Sequence, residues 1–124
     1  MRLLVCGGRT YNDRMGLFTW LKDFDREHGP ITVLIHGGAN GADRLADQWA
    51  RGHGINVQVF PAEWTRLGKA AGPIRNEQML VEGKPDAVAA FPSNSRVVRP
   101  GRSGTQDMVN RANDAGVEVF EVTK

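Results

Sequence analysis

The chain has 124 residues, 40% of them apolar and 24% charged, with a formal net charge of +2. That size fits one domain with a single core, and the balance carries no signature of disorder. The charge is too small to imply nucleic-acid binding from bulk electrostatics. The apolar runs are strand-sized and too short for a membrane span. The lone Cys6 excludes an intramolecular disulfide and any multi-cysteine metal site. The N-terminus enters a strand at once and lacks signal-peptide architecture, so a cytoplasmic protein is expected.

The first strand is expected over residues 2–6, a short continuous apolar run of the kind found in buried parallel sheets. Asn12 or Asp13 is placed to cap a helix running to about residue 28, with Met15, Phe18, Leu21 and Phe24 at helical spacing; Gly29-Pro30 ends it. A second strand follows over 32–35. A helix from Ala42 to Arg51 then carries Leu45, Ala46 and Trp49 on one face. Residues 55–60 alternate like a strand at a sheet edge. The segment 61–71 is expected to be a loop with at most short helical turns. Pro73 suits the first turn of a helix reaching Glu82. A strand over 86–91, a polar loop over 92–103, a helix over 104–115 and a strand over 117–122 complete the chain. Such regular alternation implies a single Rossmann-like α/β domain, a three-layer α/β/α sandwich on a mainly parallel five-stranded sheet.

Three of these strands run into glycine-containing turns that open helices. They are Gly7-Gly8-Arg9-Thr10, the segment Gly37-Gly38-Ala39-Asn40-Gly41-Ala42-Asp43, and Pro100-Gly101-Arg102-Ser103-Gly104-Thr105. Turns of this kind let backbone N–H groups approach an anion, and the helix adds the positive end of its dipole. Parallel strands would put all three on the carboxyl edge of the sheet, where ligands bind in open α/β folds. The expected ligand is a nucleotide or another phosphorylated small molecule.

Together with Ala71-Gly72-Pro73-Ile74-Arg75-Asn76-Glu77-Gln78-Met79 and Gly104-Thr105-Gln106-Asp107-Met108, these segments resemble, in order, the YspA/YpsA-related branch of the SLOG superfamily. That Rossmann-like group is named for the Smf/DprA and LOG proteins. The resemblance implies binding of nucleotides or nucleotide-derived ligands and suggests a homodimer, with an apolar helix face around Leu17, Trp20 and Leu21 as its contact. Members of the wider superfamily cleave N-glycosidic bonds, sense nucleotide signals or bind single-stranded DNA. Arg75 and Met79 are similar to the Arg-x-x-x-Met stretch of the LOG enzymes, where the arginine belongs to the active site. The LOG pattern Pro-Gly-Gly-x-Gly-Thr-x-x-Glu is matched in its phosphate-binding half, with Arg102 at the second glycine. Its catalytic glutamate is replaced by Met108. Asp107 stands one residue early, a rotation of about 100 degrees on a helix, and this departure counts against hydrolysis of the LOG type.

Residue by residue, Arg9 either grips a phosphate or carboxylate or lies in solvent beside a tight turn. Asp43 either accepts from a ribose hydroxyl or steadies its own helix. His36 is expected to be satisfied by its own turn, and Cys6 to be a buried apolar residue. Trp64 either stacks on a base or covers the core edge. Arg96, Arg99 and Arg102 suit a polyphosphate clamp or a nucleic-acid backbone. A glycosidase would need a carboxylate, for which Asp107 and Glu77 are the candidates, with Glu63 behind them. The expected ligand-binding set is Gly7, Gly8, Arg9, Gly37, Gly38, Asn40, Gly41, Asp43, Gly101, Arg102, Ser103, Gly104 and Thr105; the expected catalytic set is Arg75, Asp107 and Glu77. No metal and no cofactor is expected. The expected function is binding of a nucleotide or nucleotide-derived ligand, with cleavage of its N-glycosidic bond as an optional further step. A non-catalytic sensor or sequestering protein and a DNA-contacting module are the alternatives.

Overall fold

A computed structural model describes residues 1–93 and 104–122. Five strands form one all-parallel sheet in the order β3-β2-β1-β4-β5: β1 (Arg2–Gly7), β2 (Val33–His36), β3 (Asn56–Val59), β4 (Ala87–Phe91) and β5 (Glu118–Glu121). The helices are α1 (Arg14–His28), α2 (Ala42–Gly52), the single turn α3 (Trp64–Leu67), α4 (Ala71–Gly83) and α5 (Gly104–Asp114), with a 3₁₀ turn at Gly68–Ala70. Among the described residues no helix is long and apolar enough to cross a membrane.

The continuous apolar runs of β1 and β4 follow from burial on both faces. Alternate side chains divide between two cores. Leu3 and Val5 of β1, Leu34 of β2 and Ala87, Ala89 and Phe91 of β4 pack against α1 and α2. Leu4, Cys6, Ile35, Val88 and Ala90 pack against Met79 of α4 and Met108, Val109 and Ala112 of α5. The sandwich therefore has three layers. β3, with its exposed Asn56 and Gln58, lies at one edge as its alternation implied.

Helix α1 starts at Asp13, whose Oδ1 accepts from Gly16 N at 3.0 Å. Its buried stripe is Leu17, Leu21 and Phe24, whereas Met15 is exposed. The spacing of Met15, Phe18, Leu21 and Phe24 had suggested a different stripe. A period of three drifts around an α-helix, and the core takes the positions at intervals of four and three. The same burial corrects the expected dimer contact. Leu17 and Leu21 have no exposed surface, and Trp20 stacks on Phe24 (5.1 Å between ring centroids) and meets Phe91 edge-on. That face belongs to the core.

Chain order reverses beside β1: the chain leaves β1 toward β2 and β3, then returns to the other side to form β4. Open α/β sheets bind their ligands at the carboxyl ends of such a switch point. Here Gly7 and Gly8 close β1, and Gly8 N donates to Phe91 O at 3.1 Å. A Cβ on Gly7 would lie 2.5 Å from Phe91 O and closer still to Ala42 Cβ. Gly7→Ala is therefore expected to destabilise the fold by about 2 kcal/mol or more, because backbone must move. Gly52→Ala, whose Cβ meets nothing within 4 Å, is expected to stabilise by about 0.5 kcal/mol. Denaturant unfolding of the pair checks both signs.

Candidate functional site

The turns after β1 and β2 are built against each other. Gly8 O accepts from Tyr11 N at 3.2 Å and from Ala42 N, the first residue of α2, at 3.3 Å. Gly41, at φ +77°, leaves no room for a Cβ beside the carbonyls of Gly8 and Arg9. The β2–α2 turn is fixed from within. Asp43 Oδ2 accepts from Gly37 N and Ala39 N, each at 3.2 Å. His36 Nδ1 accepts from Gly38 N at 2.9 Å, which leaves Nε2 as the protonated nitrogen, donating to Asp47 Oδ1 at 2.8 Å. His36 is thus satisfied by its own turn and by α2. Burial opposes the charge on Asp47, yet hydrogen bonds from His36 and Arg51 hold its carboxyl below the usual range.

These contacts show what the glycines do. The space beside Gly7, Gly8, Gly37 and Gly41 is filled by other parts of the protein, and the amides of Gly8, Gly37 and Gly38 are used internally. Among the described residues, the amides of Arg9, Thr10, Asn40 and Gly41 have no hydrogen-bond partner. They are the donors the edge still offers. The Thr10 and Ser93 hydroxyls are hydrogen-bonded to each other across the β1 and β4 ends.

Arg75 comes in over this edge from α4. Its Nη1 donates to Gly37 O at 2.7 Å and its Nε to Asn76 Oδ1 at 3.0 Å. Burial pulls its pKa down, Asp43 opposes that, and the charge on Arg9 adds to it, so the two guanidinium groups feel each other. Arg9 is exposed and makes no hydrogen bond or ion pair among the described residues; its guanidinium lies 5.2 Å from the Trp64 ring centroid. Below them Asp43 is buried, which pushes its carboxyl pKa up against the pull of the turn amides and Arg75. Asp43 Oδ1 is the one buried side-chain polar atom without a partner among the described residues. Cys6 lies in the second core, its thiol pKa pushed far up by burial and by Asp43.

From Arg75 a polar line continues into α5. Asn76 is buried, and its Nδ2 donates to Gly104 O at 3.1 Å and to Asp107 Oδ2 at 2.9 Å. Arg111 donates from Nε to the same Asp107 oxygen and from Nη1 to Glu77 Oε2, both at 2.9 Å. Both candidate carboxylates are therefore held by Arg111, and Glu77 is exposed at the far end of the line. Met108 is wholly buried in the second core. Gly104 and Thr105 open α5 at the same edge, while Arg96, Arg99, Gly101, Arg102 and Ser103 lie outside the described residues. Sequence reasoning gave Asn76 and Arg111 no part. Asn76 carried a signal in hindsight, as a polar residue three before Met79 on the buried side of α4.

Three comparisons bear on this arrangement. The sequence model of the YspA, cpYpsA-related SLOG family matches residues 1–67. The Gene 61 protein of Mycobacterium phage D29 is similar along nearly its whole length: 37% identity over 124 residues, covering 96% of this chain and 94% of that protein. The X-ray structure of DNA processing protein A (DprA) from Streptococcus pneumoniae superposes with a TM-score of 0.69 at 18% identity. The match takes in 99% of this chain and 50% of that one, so the chain spans about half the length of DprA, and at this identity the likeness is one of fold.

Two substitutions separate the parts of the site. Asp43→Ala leaves the amides of Gly37 and Ala39 without their acceptor and is expected to destabilise by about 2 kcal/mol in denaturant unfolding. Gly37→Ala would drive its Cβ into Arg75 Nη1, the far end of a flexible side chain. Its expected cost is below about 1 kcal/mol, with Arg75 displaced from Gly37 O in a crystal structure of the variant.

Proposed function

The chain belongs to the YspA, cpYpsA-related SLOG family, and on that premise we propose that the carboxyl edge of its sheet binds a nucleotide or nucleotide-derived anion. The observation that carries this reading is the set of unpartnered amides at Arg9, Thr10, Asn40 and Gly41, with Arg75 anchored on Gly37 O over the same edge. The charge on Arg9 is felt at Arg75, and Asp43, the carboxylate that acts on Arg75, is buried and engaged by its turn. Like charges in each other's field are relieved by an anionic ligand. Phosphate would lie against Arg9, the open amides and the start of α5 at Gly104 and Thr105. The sugar would lie toward Asp43, whose Oδ1 is a spare acceptor. Gly101, Arg102 and Ser103 belong to the same proposed set.

Holding a ligand intact, as a sensor or a sequestering protein does, is the version we favour over glycosidic cleavage. Cleavage needs a carboxylate free to activate water or to face oxocarbenium charge. Asp107 is bound by Asn76 and Arg111, Glu77 by Arg111, and position 108 holds a core methionine. The reading puts the protein in the cytoplasm, where nucleotides are made and spent, and includes a homodimer as the working assembly. A single-stranded DNA partner would draw on Arg96, Arg99 and Arg102 and would show a steep salt dependence.

Mass spectrometry of the protein incubated with nucleoside mono-, di- and triphosphates, NAD and cyclic nucleotides tests this. One nucleotide is expected to be retained intact. Arg75→Ala is expected to weaken its binding by about ten- to a hundredfold, as loss of a charge-assisted contact does. Release of free base, lost in Asp107→Asn, would instead establish a glycosidase. Retention of nothing on the panel, with salt-sensitive binding of single-stranded DNA, would replace the nucleotide reading.

A further inference from the structure

Trp64 is half-exposed, at 47%, where α3 begins and after β3 has delivered the chain to the carboxyl edge. Trp20 and Trp49 pack into the first core, so Trp64 is the indole the edge presents. Its ring is steadied from α4. Gly72, buried in the first turn of that helix, has no side chain, and a Cβ there would lie 3.3 Å from Trp64 Cη2. The Arg9 guanidinium lies over the ring, 5.2 Å from its centroid. Close to the same edge, Val59 is exposed at the end of β3, its Cγ1 3.2 Å from where a Cβ on Gly38 would lie.

Such a cover is easily exchanged. Arg9 has no hydrogen bond or ion pair among the described residues to hold it, and an exposed cation–π contact is weak. A nucleobase stacks on an indole face whatever its identity, because every base has a π-face. The guanidinium that leaves the ring also stays beside Arg75, where the ligand's phosphate is proposed to lie.

We propose that Trp64 is the base platform of the site, and that Arg9 covers its ring in the free protein and moves onto the ligand's phosphate when a base takes its place. The proposal rests on the nucleotide reading above and narrows it. The ligand carries an aromatic base, and a sugar phosphate alone is a poor substitute. It also gives Arg9 two roles that separate by experiment.

The probes are the 5′-monophosphates of adenosine, guanosine, cytidine and uridine, with ribose 5-phosphate and adenosine as the two half-ligands. Each is titrated into the full chain while tryptophan fluorescence and calorimetric affinity are followed. At least one nucleotide is expected to quench the indole and to bind about tenfold or more tighter than ribose 5-phosphate. Trp64→Leu is expected to erase that margin while leaving ribose 5-phosphate affinity within about twofold, and Trp64→Phe to keep most of it while losing the fluorescence response. Arg9→Ala is expected to weaken the nucleotide about tenfold and to leave adenosine unchanged or tighter, because the ring is uncovered. Ribose 5-phosphate binding as tightly as every nucleotide, or the margin surviving in Trp64→Leu, would overturn the platform while the phosphate site stands. Failure of every phosphorylated probe would overturn the platform, and failure of the wider nucleotide panel as well would overturn both.

Discussion

The carboxyl edge is organised around one carbonyl group. Gly8 O closes its own turn through Tyr11 N and holds the start of α2 through Ala42 N, while Gly8 N is tied to the end of β4. Three segments distant in sequence thus share one residue's backbone. They meet closely enough that Gly7, Gly8 and Gly41 have no room for side chains. A buried peptide group left unpaired costs about 1–3 kcal/mol, so these bonds hold the strand ends in register as well as filling space. What reaches the surface is what this joint does not consume: the amides of Arg9, Thr10, Asn40 and Gly41, and the side chains that flank them. The same constraint that makes the fold leaves the donors.

Electrostatics at the edge is arranged in depth. Asp43 is buried beneath the β2–α2 turn, where desolvation opposes its charge and two turn amides support it. Arg75 lies half-buried in its field, and Arg9 stands outside, pushing on Arg75 with like sign. A half-buried guanidinium is more comfortable with a carboxylate nearby, and Asp43 supplies that without reaching the surface. The charge therefore changes outward from negative to positive, with the aspartate buried and arginine at the surface. The Arg75–Asn76–Asp107–Arg111 line carries this arrangement into α5, so the helix start at Gly104 is tied to the turn at Gly37.

Much of this was legible in the residues. Leu3 to Cys6 and Ala87 to Phe91 are runs that only a two-sided burial explains, and the glycine turns mark where those strands end. The turn of α3 lies in the segment allowed only short helical turns, and α4 begins two residues before Pro73, which then sits in the first turn where no N–H is needed. The glycines were harder. Sequence shows that a position tolerates close approach but not what approaches, and here the visitor at Gly7, Gly8 and Gly41 is the protein itself. The bonds of Asn76 to Gly104 and Asp107 and of Arg111 to Glu77 were hidden for a related reason: they span 28 to 34 residues, and no local pattern encodes a bond of that span. The Asp107–Arg111 pair, by contrast, is a local one, four apart on α5. The face of Leu17 and Leu21 misled because an apolar stripe looks the same whether a core or a second chain covers it.

Met108 and Asp107 show how α5 is divided between the core and the polar edge. Position 108 lies on the side of α5 that faces the sheet, among Leu4, Cys6, Ile35 and Ala90, and its side chain is wholly buried. An ionised carboxylate there would have to enter that apolar layer or force the helix to turn, and either is costly. Asp107, about 100 degrees around the helix, avoids the core and is instead bound by Asn76 and Arg111. A carboxylate so engaged is a strut for the helix start, with both bonds on its Oδ2. Met108 in the core and the network that binds Asp107 thus act in one direction: neither position leaves a carboxylate unengaged at the start of α5.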